Sequence, residues 1–162
     1  MYELKGVKIG YALTGSYCTF SKAFEQAEKL VELGAELIPI MSENAVSTST
    51  RFGTYDENIK RLKDISGREV ICTIADAEPI GPKNMTDLMI VAPCTSNTAN
   101  KLAMSITDTA VTMAVKSHLR KGKPVLLAIA SNDSLMGSAK GIGMLFGCKN
   151  YYFVPMEQDN IK

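Results

Sequence analysis

The sequence is poor in the residues that build metal centres. It has one histidine, His118, and four cysteines, Cys18, Cys72, Cys94 and Cys148, none of them in a Cys-x-x-Cys pair. A thiolate and imidazole zinc site needs its ligands clustered, so no metal is expected. The thiols read as free, mostly buried small hydrophobes. Charge of either sign is not in excess: 18 Lys and Arg stand against 17 Asp and Glu, for a net charge of +1. That balance argues against a nucleic-acid partner, which is usually met by a gathered basic excess. No apolar run approaches the roughly 18 residues of a membrane span. The opening Met1-Tyr2-Glu3-Leu4-Lys5 lacks a signal-peptide pattern, so a cytoplasmic protein without a membrane partner is expected. No Gly-x-Gly-x-x-Gly follows the first strand, and no Walker phosphate loop is found. The run Gly141-Ile142-Gly143-Met144-Leu145-Phe146-Gly147 has the wrong spacing and reads as close-packing glycines.

What is present is an alternation of strands and helices in a chain of 162 residues, 46% of them hydrophobic. No linker, repeat or low-complexity tract interrupts it, so residues 1–162 are expected to form one domain. Strands are expected at Val7–Leu13, Glu36–Met41, Leu88–Ala92, Val125–Ala130 and Tyr151–Val154, with a weak one at Val70–Ile74. The continuous apolar run at 88–92 suits a central parallel strand covered on both faces. Helices are expected from Phe20, whose stripe Phe20, Ala23, Phe24, Ala27, Leu30 has spacings of three and four, to Gly34 as a left-handed cap. Others are expected over Asp56–Ser66, around Ala99–Ala103, after Asp108 as N-cap, and over Ser138–Cys148. Glu78-Pro79-Ile80-Gly81-Pro82 is expected to be irregular. The alternation implies an α/β, doubly wound parallel sheet of Rossmann-like, flavodoxin type with helices on both faces. Such sheets bind ligands beyond the carboxyl ends of their strands, at the switch point.

Three post-strand loops are chemically alike: Thr14-Gly15-Ser16, Pro93-Cys94-Thr95-Ser96-Asn97-Thr98 and Ser131-Asn132-Asp133-Ser134. Each carries small hydroxyls and amides towards a helix N-terminus, where free N–H groups and the helix dipole favour an anion. A phosphate-bearing ligand suits such loops; ordinary helix capping uses the same residues. His118 falls on the inward stripe of a helix and reads as a satisfied core histidine rather than a catalytic base. The nine methionines read as core filler. Arg51, a cationic fork in the hydroxyl-rich stretch 42–54, suits a carboxylate held at two points, or is a solvated surface arginine.

Asp87-Leu88-Met89-Ile90-Val91-Ala92-Pro93-Cys94-Thr95-Ser96-Asn97-Thr98, with Lys101-Leu102-Ala103 and Ile106-Thr107-Asp108, resembles the signature of the FMN-binding flavoproteins related to phosphopantothenoylcysteine decarboxylase. Within that superfamily the whole chain is most similar to the family of dipicolinate synthase B subunits. That likeness rests on residues 10–19, Ser47-Thr48-Ser49-Thr50-Arg51-Phe52-Gly53, Ala77-Glu78-Pro79-Ile80-Gly81-Pro82-Lys83, Ser131-Asn132-Asp133 and Gln158-Asp159. The resemblance implies an FMN cradle made by Thr14, Gly15, Ser16, Ser42, Pro93, Thr95, Ser96, Asn97 and Thr98. It also implies a dicarboxylate substrate met by Arg51 and Asn132. It departs from the decarboxylases in two places. Their catalytic histidine falls in register on Pro79, which cannot act as a base, and of their Pro-x-Met-Asn clamp only Asn132 remains. Decarboxylation of a cysteine is therefore not expected. The implied activity is a step of dipicolinate synthesis in the mother cell of a sporulating bacterium: oxidation of a dihydrodipicolinate-type ring. The implied partner is the dipicolinate synthase A subunit, a nicotinamide (NADP) protein, and a homo-oligomer is implied by analogy. The alternatives are a non-catalytic binding and assembly subunit, and, ranked last, flavin prenyl transfer.

Overall fold

A computed structural model describes residues 3–134 and 136–157. Strands β1 (Lys8–Leu13), β2 (Glu36–Met41), β3 (Leu88–Thr95), β4 (Val125–Ala130) and β5 (Tyr151–Phe153) form one sheet in the order β2-β1-β3-β4-β5. Every pairing is parallel. This is the flavodoxin order, and its switch point lies between β1 and β3.

Helices α1 (Phe20–Glu32) and α2 (Tyr55–Ser66) cover one face; α3 (Ile74–Ala77), α4 (Ser96–Ala103), α5 (Ala110–Leu119) and α6 (Ala139–Phe146) cover the other. The strand period of two sorts the side chains between them. Ile9, Tyr11 and Leu13 face Phe20, Phe24, Ala27 and Leu62. Ala12, Met89, Val91, Val125 and Leu127 face Leu102, Val111, Val115, Ile142 and Leu145. Each large side chain sealed in this way contributes about 1.5–3 kcal/mol of transfer free energy.

Local signals act where the sequence placed them. Gly34, at φ 93°, ends α1, with Gly34 N–H bonded to Val31 O (2.8 Å) and Ala35 N–H to Leu30 O (3.0 Å). Thr54 and Glu57 form a capping box on α2. Pro39 lies in the edge strand β2, where a missing N–H breaks no bond to β1.

Other expectations need correction. The segment 70–74 is no strand: Ile71 alone bridges to Ile40, and Thr73 caps α3 instead. Glu78–Ile80 is a turn of 3-10 helix with Pro79 in its first turn, where a missing N–H costs nothing. β3 does not stop at Ala92 but continues through Pro93 to Thr95, and its register against β4 shifts between Val91 and Cys94 to accommodate the proline. The cap of α5 is Thr109, paired with Thr112, rather than Asp108. Of the thiols only Cys94 is buried, and burial pushes it up to about 12; Cys18 and Cys148 are exposed. Among the three glycines of 141–147, a Cβ at Gly141 would overlap Asn100 of α4, whereas Gly143 faces open space. Met41 and Met89 are core, but Met104, Met136, Met144 and Met156 are exposed. The Gln158-Asp159 match lies outside the described residues.

Candidate functional site

The tips of β1 and β3 are tied together by one buried threonine. Thr14 Oγ1 donates to Pro93 O (2.8 Å) and accepts from Thr95 N–H (3.0 Å). Thr95 then closes the start of α4: its hydroxyl accepts from Thr98 N–H (3.3 Å) and donates to Thr98 Oγ1 (3.0 Å). The first-turn amides of Ser96 and Asn97 have no intrahelical acceptor, as in any helix. Ser42 extends β2 beside β1 through its N–H to Leu13 O (3.1 Å). These three strand ends frame a cleft of about 490 Å3. Thr14, Gly15, Ser42, Thr95, Asn97 and Thr98, six of the expected cradle residues, line it.

The cleft also has a wall that sequence reasoning missed. Glu43, Asn44 and Thr48 enter from the loop after β2, and Lys101, Asp108 and Thr109 from α4 and the connection to α5. Lys101 Nζ is held by both oxygens of Asp108 at 2.9 Å. Glu43 Oε1 accepts from Ala110 N–H (2.9 Å), a carboxylate on the positive end of α5. Glu43 Oε2 is shielded from solvent and has no hydrogen-bond donor among the described residues. Leaving a buried acceptor unmet costs about 1–3 kcal/mol, more when it is charged. Glu43 was findable, since it stands one residue past Ser42 in a post-strand loop. Lys101 and Asp108 stand in the segments that continue the flavoprotein signature, but no strand end announces them or Thr109 as cleft residues.

The remaining expected residues lie elsewhere. Ser16 does not line the cleft; its carbonyl accepts from Thr19 Oγ1 (2.8 Å). Pro93 is buried and borders an apolar hollow on the α1 side of the sheet, with Tyr11 and Leu126. Ser96 turns to the third loop, where it bonds Ser131 Oγ and donates to Asp133 Oδ1 (3.0 Å). Asp133 Oδ1 also accepts from Ser131 (2.5 Å) and Ser138 (2.6 Å), and these hydroxyls hold its carboxyl below the usual range. The third loop is therefore latched to α4 rather than open to the cleft. Asn132 is exposed outside it. Arg51 is exposed too, its guanidinium 4.8 Å from the centre of the Phe52 ring, three residues beyond Thr48.

His118 sits at the opposite end of the sheet. Thr86 Oγ1 lies 2.7 Å from Nδ1 and Pro124 O lies 2.8 Å from Nε2, while burial lowers its pKa. Position 79 is likewise away from the cleft, in the turn that packs on α5. Among the described residues no cluster of His, Cys, Asp and Glu could hold a metal, and no helix is long and apolar enough to cross a membrane.

Comparison with known proteins places this cleft in a family. The Flavoprotein family profile matches residues 1–140. The chain is 44% identical over 160 residues to the dipicolinate synthase B subunit of Bacillus subtilis (strain 168), covering 99% of this chain and 80% of that protein. The crystal structure of the dipicolinate synthase B subunit from Bacillus halodurans C superposes with a TM-score of 0.88 at 40% identity, over 98% of this chain and 81% of that one. The FMN complex of DmrB from Burkholderia xenovorans shares the fold, with a TM-score of 0.73 at 20% identity over 93% and 88% of the two chains. With an all-parallel sheet whose switch-point cleft is built from Thr14, Thr95 and Thr98, the chain belongs to the flavoprotein family and, within it, to the dipicolinate synthase B subunits.

Proposed function

We propose that this chain is the flavin-holding subunit of a dipicolinate synthase, with FMN as its cofactor and a dihydrodipicolinate-type ring as its substrate. The observation that carries the reading is the cleft at the β1/β3 switch point, where Thr14, Gly15, Thr95, Asn97 and Thr98 surround the first turn of α4, whose Ser96 and Asn97 amides have no intrahelical acceptor. A phosphate suits that end, because the Ser96 and Asn97 amides donate there and the groups around them carry no negative charge. The volume, about 490 Å3, is of the size that holds a cofactor. FMN, when bound, supplies the acceptor for the hydride equivalent that leaves the ring; the second hydrogen leaves as a proton. The protein's part is to bind, orient and exclude water. Ser42 adds a hydroxyl on the β2 side. Ser16, Ser96 and Pro93 act behind the cleft wall, Ser96 by fixing the start of α4 through Asp133.

In this reading Arg51 and Asn132 meet the substrate's carboxylates from the rim. Among the described residues no carboxylate pairs with Arg51, so its fork is free to take one. The partner would be the A subunit, which would hold a nicotinamide, NADP, and the chain works as a homo-oligomer in the cytoplasm of the mother cell. The test is the absorption spectrum of the purified protein with FMN added. Saturable quenching of FMN fluorescence is expected, and it should weaken in Asn97→Ala. Failure to bind FMN with the partner subunit also present defeats the reading.

One observation favours a second reading, a binding and assembly subunit without chemistry of its own. The titratable groups of the cleft are already engaged, Lys101 with Asp108 and Glu43 with Ala110 N–H, and the decarboxylase histidine position is a proline. Turnover by the A subunit raised equally by this chain stripped of flavin or loaded with it would favour that role.

A further inference from the structure

Building on the flavin reading, we propose that Lys101 is the residue by which the cleft prefers a phosphorylated flavin to its phosphate-free form, and that Asp108 sets how strongly it does so. Three charged residues line the cleft among those described: one cation, Lys101, and two carboxylates, Glu43 and Asp108. The attraction that full charges in this wall offer an anion therefore rests on Lys101. An ammonium has three N–H donors. Asp108 takes two of them, at 2.9 Å to each of its oxygens. No other acceptor among the described residues takes the third. The Lys101 side chain is 23% exposed, so that donor is open to a guest in the cleft.

The place of Lys101 on its helix suits that task. Asn97 and Lys101 are four residues apart on α4, so they share a face, and both line the cleft. The lysine stands one turn, about 6 Å along the axis, from the first-turn amides that suit a phosphate. Those amides act through partial charges that fade within a turn, whereas an ammonium carries a full charge. Asp108 is 56% exposed, so water screens much of its pull on Lys101. It holds the ammonium in place, and it repels the same phosphate that the ammonium draws. Riboflavin has the ring system and ribityl chain of FMN without the phosphate, so neither charge acts on it.

The test uses the full chain and two probes, FMN and riboflavin, each titrated by flavin fluorescence. In Lys101→Gln, FMN is expected to bind about tenfold more weakly, the scale of one charge-assisted hydrogen bond, while riboflavin binds unchanged. Asp108→Asn keeps an acceptor for Lys101 and removes the opposing charge. There FMN is expected to bind about threefold more tightly, the scale of an exposed ion pair, and riboflavin again unchanged. An ion pair that only clips α4 to the start of α5 predicts the opposite pattern: weaker binding in both variants, and for both probes. That pattern, or an FMN affinity unmoved in either variant, overturns the inference and leaves the flavin reading standing. Absence of any flavin binding by the wild type removes both. If Lys101→Gln fails to fold, Asp108→Asn decides alone: tighter FMN with unchanged riboflavin upholds the inference, and any other result overturns it.

Discussion

The two ends of the sheet are both polar, yet they are organised in opposite ways. At the amino ends of the strands every notable group has found a partner. Asp87 accepts from Lys8 N–H (3.0 Å) and from Lys123 Nζ (3.2 Å), Lys123 also reaches Asn84 Oδ1 (2.8 Å), and both ring nitrogens of His118 are bonded. At the carboxyl ends, hydroxyls and first-turn amides surround about 490 Å3 of open space. The contrast teaches that a concentration of polar residues does not mark a site. What distinguishes the two ends is whether the polar groups close on one another or stand around an open cleft.

The contrast can be broken or sharpened by mutation. The largest effect is expected at the closed end. His118→Ala removes a ring that is 1% exposed and takes the partner from the buried Thr86 hydroxyl, so urea denaturation should show a loss of about 3 kcal/mol. Flavin affinity should not change; a stable variant with weakened flavin binding would break the division between the ends.

The next effect is expected at the open end. Asn97 is exposed in the first turn of α4, so Asn97→Ala should shift stability by no more than about 0.5 kcal/mol. It should weaken FMN by up to about tenfold, or about 1.4 kcal/mol, in a fluorescence titration. Unchanged affinity would remove Asn97 from the cradle.

The smallest effect is that of pH on the closed end. Burial lowers the folded pKa of His118 below its ordinary 6.5, so between those two values the unfolded chain binds the extra proton. Stability is then fully present above pH 6.5 and falls as the pH drops below it, by at most about 1.4 kcal/mol per pH unit. Thermal midpoints from pH 7.5 to 5.5 should show this slope in the wild type, and a shallower one in His118→Gln.

Much of this architecture was legible in the residues because it rests on local chemistry. The bounds of β2 and β4 follow from apolar runs, and the ends of α1 and α2 from Gly34 and Gly67. The errors cluster where a tertiary contact overrode a local rule. Pro93 ought to end a central strand, but the register shift against β4 carries β3 on to Thr95. Val70–Ile74 had strand-forming residues, but only Ile71 meets an edge.

The sequence by itself determined the layering, since period and punctuation are properties of neighbouring residues, and it named the threonines and the serine at the strand ends. It could not say which loops would face one another. Tertiary structure decided that Ser131 and Asp133 latch onto Ser96 instead of opening to the cleft, and that Arg51 stays outside. It also brought Lys101, Asp108 and Glu43 into one wall from segments far apart in the chain. The reason is physical: a side chain's partner is set by where helices pack across the sheet, and that distance is invisible to spacing along the backbone.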